Sequence, residues 1–173
     1  MSKKLIVVIS ILSSIYGCAQ QNKIAKNNDS KLISAAKEIM QSAKTCALVT
    51  IDDKGSPRVR TMDPFTPEDG LIVWFGTNSS SRKVKQIQEN PNVTLYYEDV
   101  DKKGYVMIHG IANIVNDNTE KEKHWKPKWK DFYPNYPDDY LLIKVSPNWM
   151  EIVSETRGIL GNPKTWEPQR VTF

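Results

Sequence analysis

Short apolar runs separated by tight turns make up most of the chain, and this pattern restricts the folds open to it. The turns carry Asp, Gly, Pro or Asn, as in Asp52 to Gly55 and Ser146 to Asn148. Runs of this length between such turns are typical of antiparallel strands. The predicted strands are Cys46 to Ile51, Arg58 to Met62, Leu71 to Gly76, Asn92 to Glu98, Tyr105 to Val115, Tyr140 to Val145 and Trp149 to Val153. The sequence therefore predicts a mainly β fold with flanking helices, arranged as an antiparallel barrel.

Three helices flank the predicted strands. The first begins after Asp29 and Ser30, whose side chains can cap it. Its apolar residues share one face, which we expect to cover an open end of the sheet. They are Leu32, Ala36, Ile39, Met40 and Ala43. The second helix runs from Ser81 to Asn90, and the third, which is highly charged, from Asn118 to Trp129.

The segment Trp74 to Lys83, WFGTNSSSRK, places two cations at the start of the second helix. A helix N-terminus carries free N–H groups and a partial positive charge, so Arg82 and Lys83 stand at the unfavourable end. The small side chains before them include hydroxyls that can donate to anionic oxygens. A bound phosphate would account for this arrangement. The alternative is a serine-capped surface helix whose cations point into water.

The N-terminus resembles an export signal. Two lysines, Lys3 and Lys4, precede an apolar run from Leu5 to Ile15. This run is too short to span a membrane, which takes about 20 apolar residues. The sequence Tyr16-Gly17-Cys18 resembles a bacterial lipobox, although tyrosine is larger than the residue usual at that position.

These features divide the chain into three parts. We expect residues 1–17 to be a lipoprotein signal peptide and residues 18–30 to be a flexible tether. Residues 31–173 then form the folded domain. Cys18 would carry the lipid, which makes the protein an exported, membrane-anchored lipoprotein of a bacterial cell envelope. Equal fatty-acid labelling of the wild type and a Cys18→Ala variant would contradict this expectation.

Composition excludes several kinds of site. The net charge is +4 and falls to +2 without residues 1–17, which gives no electrostatic case for nucleic acid. With Cys18 lipidated, Cys46 has no partner for an internal disulfide, and its apolar neighbours favour a buried strand thiol over a nucleophile. His109 and His124 are too few for a zinc site, so no metal is expected.

An aromatic and basic segment follows the third predicted helix. Trp125, Trp129, Phe132 and Tyr133 alternate with lysines there. Such interleaving can stack the bases of single-stranded nucleic acid. The favoured alternative is that the aromatics pack on the barrel while the lysines stay solvated.

Four blocks of sequence carry a resemblance to a known family. They are GSPRVRTM, WFGTNSSSRK, NPNVTLYY and YVMIHGIANIV, in this order. Together they resemble the pyridoxamine 5'-phosphate oxidase superfamily of FMN-binding split barrels, over about Lys44 to Val153. The likeness is strongest to the general-stress-protein branch, which shares Trp125 and Tyr133-Pro134. The resemblance implies a split barrel, bound FMN and a homodimer with two flavins at its interface.

The resemblance also implies which residues hold the flavin. Arg60 and Lys83 would grip the FMN phosphate, with Arg82, Ser81 and Thr77 beside them. The isoalloxazine and ribityl chain would be lined by Thr61 and Met62 and by the backbone of Phe75, Gly76, Thr77 and Asn78. Tyr105 falls where the oxidases place a glutamine that reaches the flavin from the partner subunit.

The chain departs from the oxidases on the substrate side. Phe65 stands where they carry a lysine for the substrate phosphate, and Gly76 replaces a usual aromatic. Their Arg- and Ser-containing substrate motif has no counterpart here. The glycine- and proline-containing tail from Ser154, expected to wrap around the barrel, offers only Trp166 and Arg170 as a loose match to their C-terminal residues. We therefore do not expect oxidation of pyridoxamine 5'-phosphate.

The resulting functional prediction is an FMN-dependent oxidoreductase acting on an unidentified small molecule. No side chain is singled out as a catalytic acid or base, because the cofactor carries the electrons in a flavin enzyme. Two alternatives stay open: a non-enzymatic flavin-binding stress protein, and a barrel that holds haem or a deazaflavin.

Overall fold

Seven strands form one antiparallel sheet in the computed structural model of the chain, which describes residues 26–101 and 103–173. The strands are β1 (Cys46–Ile51), β2 (Pro57–Met62), β3 (Val73–Asn78), β4 (Asn92–Glu98), β5 (Gly104–Val115), β6 (Tyr140–Ser154) and β7 (Gln169–Thr172). Their order across the sheet is β2-β1-β4-β5-β6-β3, and β7 pairs with the second half of β6. The helices are α1 (residues 26–42), α2 (Arg82–Glu89) and α3 (Asn118–Lys123).

A short contact between the two edge strands closes the sheet. Pro64, just after β2, pairs with Phe75 of β3, and the Phe65 N–H donates to the Trp74 carbonyl oxygen at 2.9 Å. Within residues 26–101 and 103–173, backbone pairing between the two edges is limited to this contact, so the barrel is split along part of its length. The predicted fold, an antiparallel split β-barrel with flanking helices, is confirmed.

Alternate strand residues point inward and form the core of the barrel. Leu48 and Leu95, for example, are fully buried on neighbouring strands, and the apolar face of α1 joins the same cluster through Leu32 and Ile39. Cys46 is also buried there, as predicted. Burial raises the pKa of its thiol to about 12, so the thiol is neutral at physiological pH.

Helix α1 extends further toward the N-terminus than predicted. Residues 26–30 are already helical, so Asp29 and Ser30 lie within the helix and do not cap it. Once the packed part of a helix has formed, each added residue gains one backbone hydrogen bond at little further cost. The predicted tether therefore overlaps the helix over residues 26–30. The predicted signal peptide, Cys18 and the rest of the tether lie outside the described residues and stay predictions.

Strand β3 begins and ends two residues later than predicted. Leu71 has a φ of 57°, in the left-handed region, and belongs to the short 3-10 turn Asp69–Leu71. A residue with that backbone conformation cannot lie inside an extended strand. At its other end the strand continues through Thr77 and Asn78, which pair with Leu141 and Tyr140. The Thr77 hydroxyl is thus fixed by sheet pairing rather than carried on a loop.

Strand β6 is continuous where two strands were predicted. Trp149 lies opposite His109, but Pro147 lies opposite Gly110, so Asn148 is an extra residue in a bulge. A bulge leaves one residue unpaired and bends the strand without ending it. It also accommodates Pro147, which has no N–H to donate. The predicted turn from Ser146 to Asn148 is therefore wrong.

Helix α3 ends at Lys123, six residues before the predicted end at Trp129. The Asp117 carboxylate caps its start by accepting from the Glu120 N–H at 2.9 Å. Pro127 opens a separate 3-10 segment, Pro127–Phe132. A proline disfavours helical conformation in the residue before it, which separates the two elements. None of the helices in the described part of the chain is long and apolar enough to cross a membrane.

Candidate functional site

Three cations lie close together near the start of α2. They are Arg60 on β2 and Arg82 and Lys83 in the first turn of the helix. Among residues 26–101 and 103–173, no carboxylate lies within 4.0 Å of their charged nitrogens. By contrast, Lys85 of the same helix pairs with Glu89 at 3.7 Å. Arg60 and Lys83 therefore have no carboxylate at contact distance, whereas Arg82 shares a groove with Asp52, Asp53 and Glu89.

The Lys83 side chain folds back toward the end of β3. Its Nζ donates to Thr77 Oγ1 at 2.9 Å and to Ser81 Oγ at 2.7 Å. Ser81 makes no capping bond with its side chain, so its hydroxyl oxygen is available to the lysine. Burial lowers the pKa of the Lys83 ammonium, and the charge of Arg60 lowers it further. A half-buried ammonium whose hydrogen-bond partners are hydroxyls keeps its charge unbalanced, so it can bind an anion.

Arg60 is held by neutral partners. Its guanidinium donates to Thr50 Oγ1 at 2.7 Å and to Gln86 Oε1 at 3.0 Å. Burial lowers its pKa, and the nearby charge of Arg82 acts in the same direction. These partners orient the guanidinium without neutralising it. Arg82 itself is exposed and faces a neighbouring groove beside Asp53 and Lys85.

A cavity of about 450 Å³ opens beside Lys83. Sites for cofactors and small molecules in proteins typically occupy about 300–1,000 Å³. The cavity is lined by Thr61, Met62, Asp63, Gly76, Thr77, Asn78, Ser81, Lys83, Trp129, Phe132 and Tyr133. It lies where β2 and β3 diverge beyond their short contact, which is the split of the barrel.

The structure brings most of the predicted cofactor-binding residues to this cavity. Those that line it are Thr61, Met62, Gly76, Thr77, Asn78, Ser81 and Lys83. Arg60 and Arg82 do not line it: the Arg60 guanidinium is bonded to Thr50 and Gln86, and Arg82 lines the neighbouring groove. The Phe75 side chain does not line it, because it points to the other face of the strand and is fully buried in the barrel core; the contact predicted for the Phe75 backbone stays a prediction. Tyr105 lies on β5, where it stacks on Tyr96 at 5.4 Å, and is not part of this chain's cavity.

The sequence analysis did not place Trp129, Phe132 and Tyr133 at the cavity, although all three line it. Trp129 and Tyr133 line it while also packing on the outer side of β3 and β6. Together with Trp125 they confirm the prediction that this segment packs on the barrel, whereas Phe132 is 73% exposed at the cavity. The high density of aromatic residues after α3 was the one feature of the sequence that could have indicated an aromatic wall.

Gly76 allows the aromatic wall to approach β3. A Cβ atom at this position would lie 2.6 Å from both Trp129 Cζ3 and Tyr140 Cε2. Such distances are too short for non-bonded carbon atoms, so any larger residue would displace the rings. Gly76 replaces an aromatic residue that is usual at this position in the oxidases. The rings of Trp129 and Tyr140, from other segments, occupy the space beside it.

Asp63 lies on the wall of the cavity and forms ion pairs with two lysines. Its Oδ1 accepts from Lys126 Nζ at 2.6 Å, and its Oδ2 lies 3.0 Å from Lys128 Nζ. Burial alone would raise the pKa of Asp63, but the two lysines outweigh it and hold the pKa below its usual range. Lys126 also donates to the Pro64 carbonyl oxygen at 3.1 Å and sits over the rings of Phe65 and Trp129.

Comparisons of the sequence and of the structure with known proteins point to the same group of proteins. A family model described as "Pyridoxamine 5'-phosphate oxidase like" matches residues 31–158. General stress protein 26 of Bacillus subtilis is 30% identical over 121 residues, which is 68% of this chain and 84% of that protein. The crystal structure of General Stress Protein 26 from Bacillus anthracis superimposes with a TM-score of 0.65 at 24% identity, covering 82% of this chain and 98% of that one.

A second solved structure has a similar fold at lower identity. It is a pyridoxamine 5'-phosphate oxidase-related, FMN binding protein from Nostoc punctiforme, with a TM-score of 0.57 and 15% identity. The superposition covers 80% of this chain and 91% of that one. At these identities the two structures establish the fold.

Proposed function

The chain belongs to the pyridoxamine 5'-phosphate oxidase-like family, and we propose that it is a flavoprotein that binds FMN in the cavity beside Lys83. The observation that carries this proposal is the pair of cations Arg60 and Lys83, with Arg82 nearby. Within residues 26–101 and 103–173, Arg60 and Lys83 have hydroxyl and amide partners and form no ion pair with a carboxylate. A phosphate dianion is the ligand that such a donor set fits best.

The residues present fit the phosphate group of FMN. Lys83 offers an ammonium already oriented by Thr77 and Ser81, and the N–H groups at the start of α2 lie in the same place. Arg60 adds a guanidinium that its neutral partners hold in position. Each charge-assisted hydrogen bond typically contributes about 1.5–3 kcal/mol. A few of them supply a large part of the roughly 8 kcal/mol that a micromolar affinity requires.

We propose that the protein is a flavin-dependent oxidoreductase whose side chains bind the flavin and orient its ring system. FMN, when bound, supplies hydride and electron transfer. Thr61, Met62 and Gly76 line the middle of the cavity, between the cations and the aromatic wall, and position the ring system. Asp63 is paired with two lysines, and Lys83 donates to the hydroxyls of Thr77 and Ser81. We therefore assign neither side chain as a catalytic acid or base.

The experiment that tests this proposal is the visible spectrum of the full-length protein after saturation with FMN and removal of free ligand. Retained absorption with the two bands of an oxidised flavin is expected, at one FMN per chain. Turnover with a range of electron donors and acceptors then separates an oxidoreductase from a flavin-binding stress protein. A haem spectrum, or retention of a deazaflavin in preference to FMN, would overturn the FMN assignment.

We also propose a homodimer formed through the outer face of the sheet. This outer face consists of side chains that point away from the barrel on neighbouring strands, in register with one another. They are Val59 and Thr61 on β2, Ala47 and Val49 on β1, Thr94 and Tyr96 on β4, Met107 and His109 on β5, and Trp149 and Glu151 on β6. Val59 is 66% and Tyr96 42% exposed, so apolar and aromatic surface is presented to solvent. Contiguous exposed surface of this kind marks interaction sites.

The outer face is continuous with the cavity, because Thr61 belongs to both. A second copy placed on this face would border the cavity. Tyr105 also points outward on β5, stacked on Tyr96, and so is available to a partner rather than to its own chain. This position supports the proposal that Tyr105 contributes to the flavin site of the other subunit.

Replacing Val59 with glutamate is expected to weaken the dimer at least about tenfold, because the interface would bury an unpaired charge. Sedimentation equilibrium of the FMN-bound protein measures the effect. Val100→Glu is the matched control, since Val100 is 64% exposed but lies in the turn between β4 and β5. A monomeric wild type at micromolar concentration, or equal dissociation of both variants, would contradict the proposed interface.

A further inference from the structure

Among the described residues that line the aromatic end of the cavity, none is a cation that is free to meet a second anion. The lining residues include one cation, Lys83, which belongs to the phosphate end, and one anion, Asp63. Lys126 and Lys128 are near enough to help bind an anionic substrate, but both are paired with Asp63, at 2.6 and 3.0 Å. Lys126 is further restrained by the Pro64 carbonyl oxygen and by two aromatic rings.

The remaining surface at this end is aromatic. Trp129, Phe132 and Tyr133 line it in succession. The Trp129 ring packs against the backbone of Gly76 and the ring of Tyr140. Phe65 packs edge-on against it, with ring centroids 5.6 Å apart. Phe132 is unpacked and 73% exposed, so its ring is free to move onto a ligand. Aromatic walls of this kind favour flat ring systems, through stacked and edge-to-face contacts.

We propose that Asp63 determines the charge of the substrate, and that this cavity takes an uncharged planar ring compound, of quinone size, rather than one that carries a phosphate. This inference rests on the proposed function, because it names the substrate class of the same site. A phosphate-bearing ring would bring its dianion next to the Asp63 carboxylate. It would also compete for lysines that already have a partner. Burial of a charge without a counter-ion is costly, so such a ligand is disfavoured.

Removal of the Asp63 charge should reverse this preference. In Asp63→Asn the two lysines lose their carboxylate and become available to an anionic ligand. One or two charge-assisted contacts then raise the affinity for an anionic ring by about tenfold or more. An uncharged ring makes no use of these lysines, so its affinity should change by less than roughly threefold.

The test uses isothermal titration of the full-length protein saturated with FMN. Three ring compounds serve as probes: menadione, which is uncharged, naphthoquinone sulfonate, which is anionic, and pyridoxamine 5'-phosphate. Wild type is expected to bind menadione most tightly. Asp63→Asn is expected to gain affinity for the two anionic probes only. Lys128→Gln, at a side chain that is 68% exposed, should have the opposite effect, because Asp63 loses one of its neutralising partners.

The aromatic wall is tested separately. Phe132→Ala should weaken menadione binding by about three- to tenfold, which corresponds to the loss of one aromatic pair. Phe173→Ala is the matched control, because Phe173 is 44% exposed and does not line the cavity. Tighter binding of an anionic probe than of menadione by the wild type, or no gain in Asp63→Asn, would overturn the inference.

Failure of the proposed function would be seen before any ring compound is added, as absence of retained FMN. The same titrations are then carried out on the flavin-free protein. The pairing of Asp63 with its two lysines involves only protein atoms, so the gain of anionic-ring affinity in Asp63→Asn is expected there too. Its absence would again overturn the inference.

Discussion

Replacing Lys83 with alanine is expected to weaken FMN binding by about 10- to 100-fold and to leave riboflavin binding nearly unchanged. The two ligands share the isoalloxazine and the ribityl chain, and only FMN carries a phosphate. Lys83 is half buried and held by two hydroxyls, so its charge is unbalanced until an anion arrives. Fluorescence titration of both ligands, at the same ionic strength, measures the difference.

Lys85→Ala provides the control for the Lys83 variant. Lys85 lies on the same helix, two residues further on, and is already paired with Glu89 at 3.7 Å. Its removal lowers the net charge by the same amount but takes away no proposed phosphate contact. Equal losses for FMN and riboflavin in Lys83→Ala, or an equal loss of FMN affinity in Lys85→Ala, would contradict the phosphate assignment. Loss of Lys83 should also relieve its repulsion with Arg60, so the flavin-free protein should not be destabilised.

The cation end of the cavity, where we propose that the FMN phosphate binds, was predictable from sequence because it is local. Thr77, Ser81 and Lys83 lie within seven residues of one another on a strand, a turn and the first turn of a helix. Such short-range geometry follows from chain connectivity and from the charges at a helix N-terminus. The addition of Arg60 required knowledge of strand pairing, which the resemblance to a known family supplied.

The aromatic end was predictable only as an aromatic segment that packs on the barrel; its place at the cavity was not, because that depends on contacts between distant segments. Asp63 meets Lys126 across 63 positions of sequence, and Trp129 reaches Gly76 across 53. Local patterns give no information about which segments meet at such separations. The same limit explains the error in β6, where pairing with β5 keeps the strand continuous through Pro147. Local sequence alone predicted a turn there, and tertiary pairing determined the outcome.

Phe75→Ala is expected to lower the free energy of unfolding by about 3–5 kcal/mol, a large part of the 5–15 kcal/mol typical of a domain. Phe75 is fully buried in the barrel core and sits at the bridge to Pro64 that closes the sheet. Its ring lies on the opposite face of β3 from Gly76, so the cavity wall is unaffected. FMN affinity of the folded protein should therefore stay within roughly twofold of wild type.

Chemical denaturation of the flavin-free protein, with FMN titration below the unfolding transition, separates the two effects. Phe132→Ala makes the same truncation at a ring that is 73% exposed, and should change the free energy of unfolding by no more than about 0.5 kcal/mol. The two phenylalanines should thus give different patterns, because Phe75 stabilises the barrel, whereas we propose that Phe132 contacts the ring of the substrate. A loss of FMN affinity in Phe75→Ala as large as that in Lys83→Ala would contradict this separation of the core from the cavity.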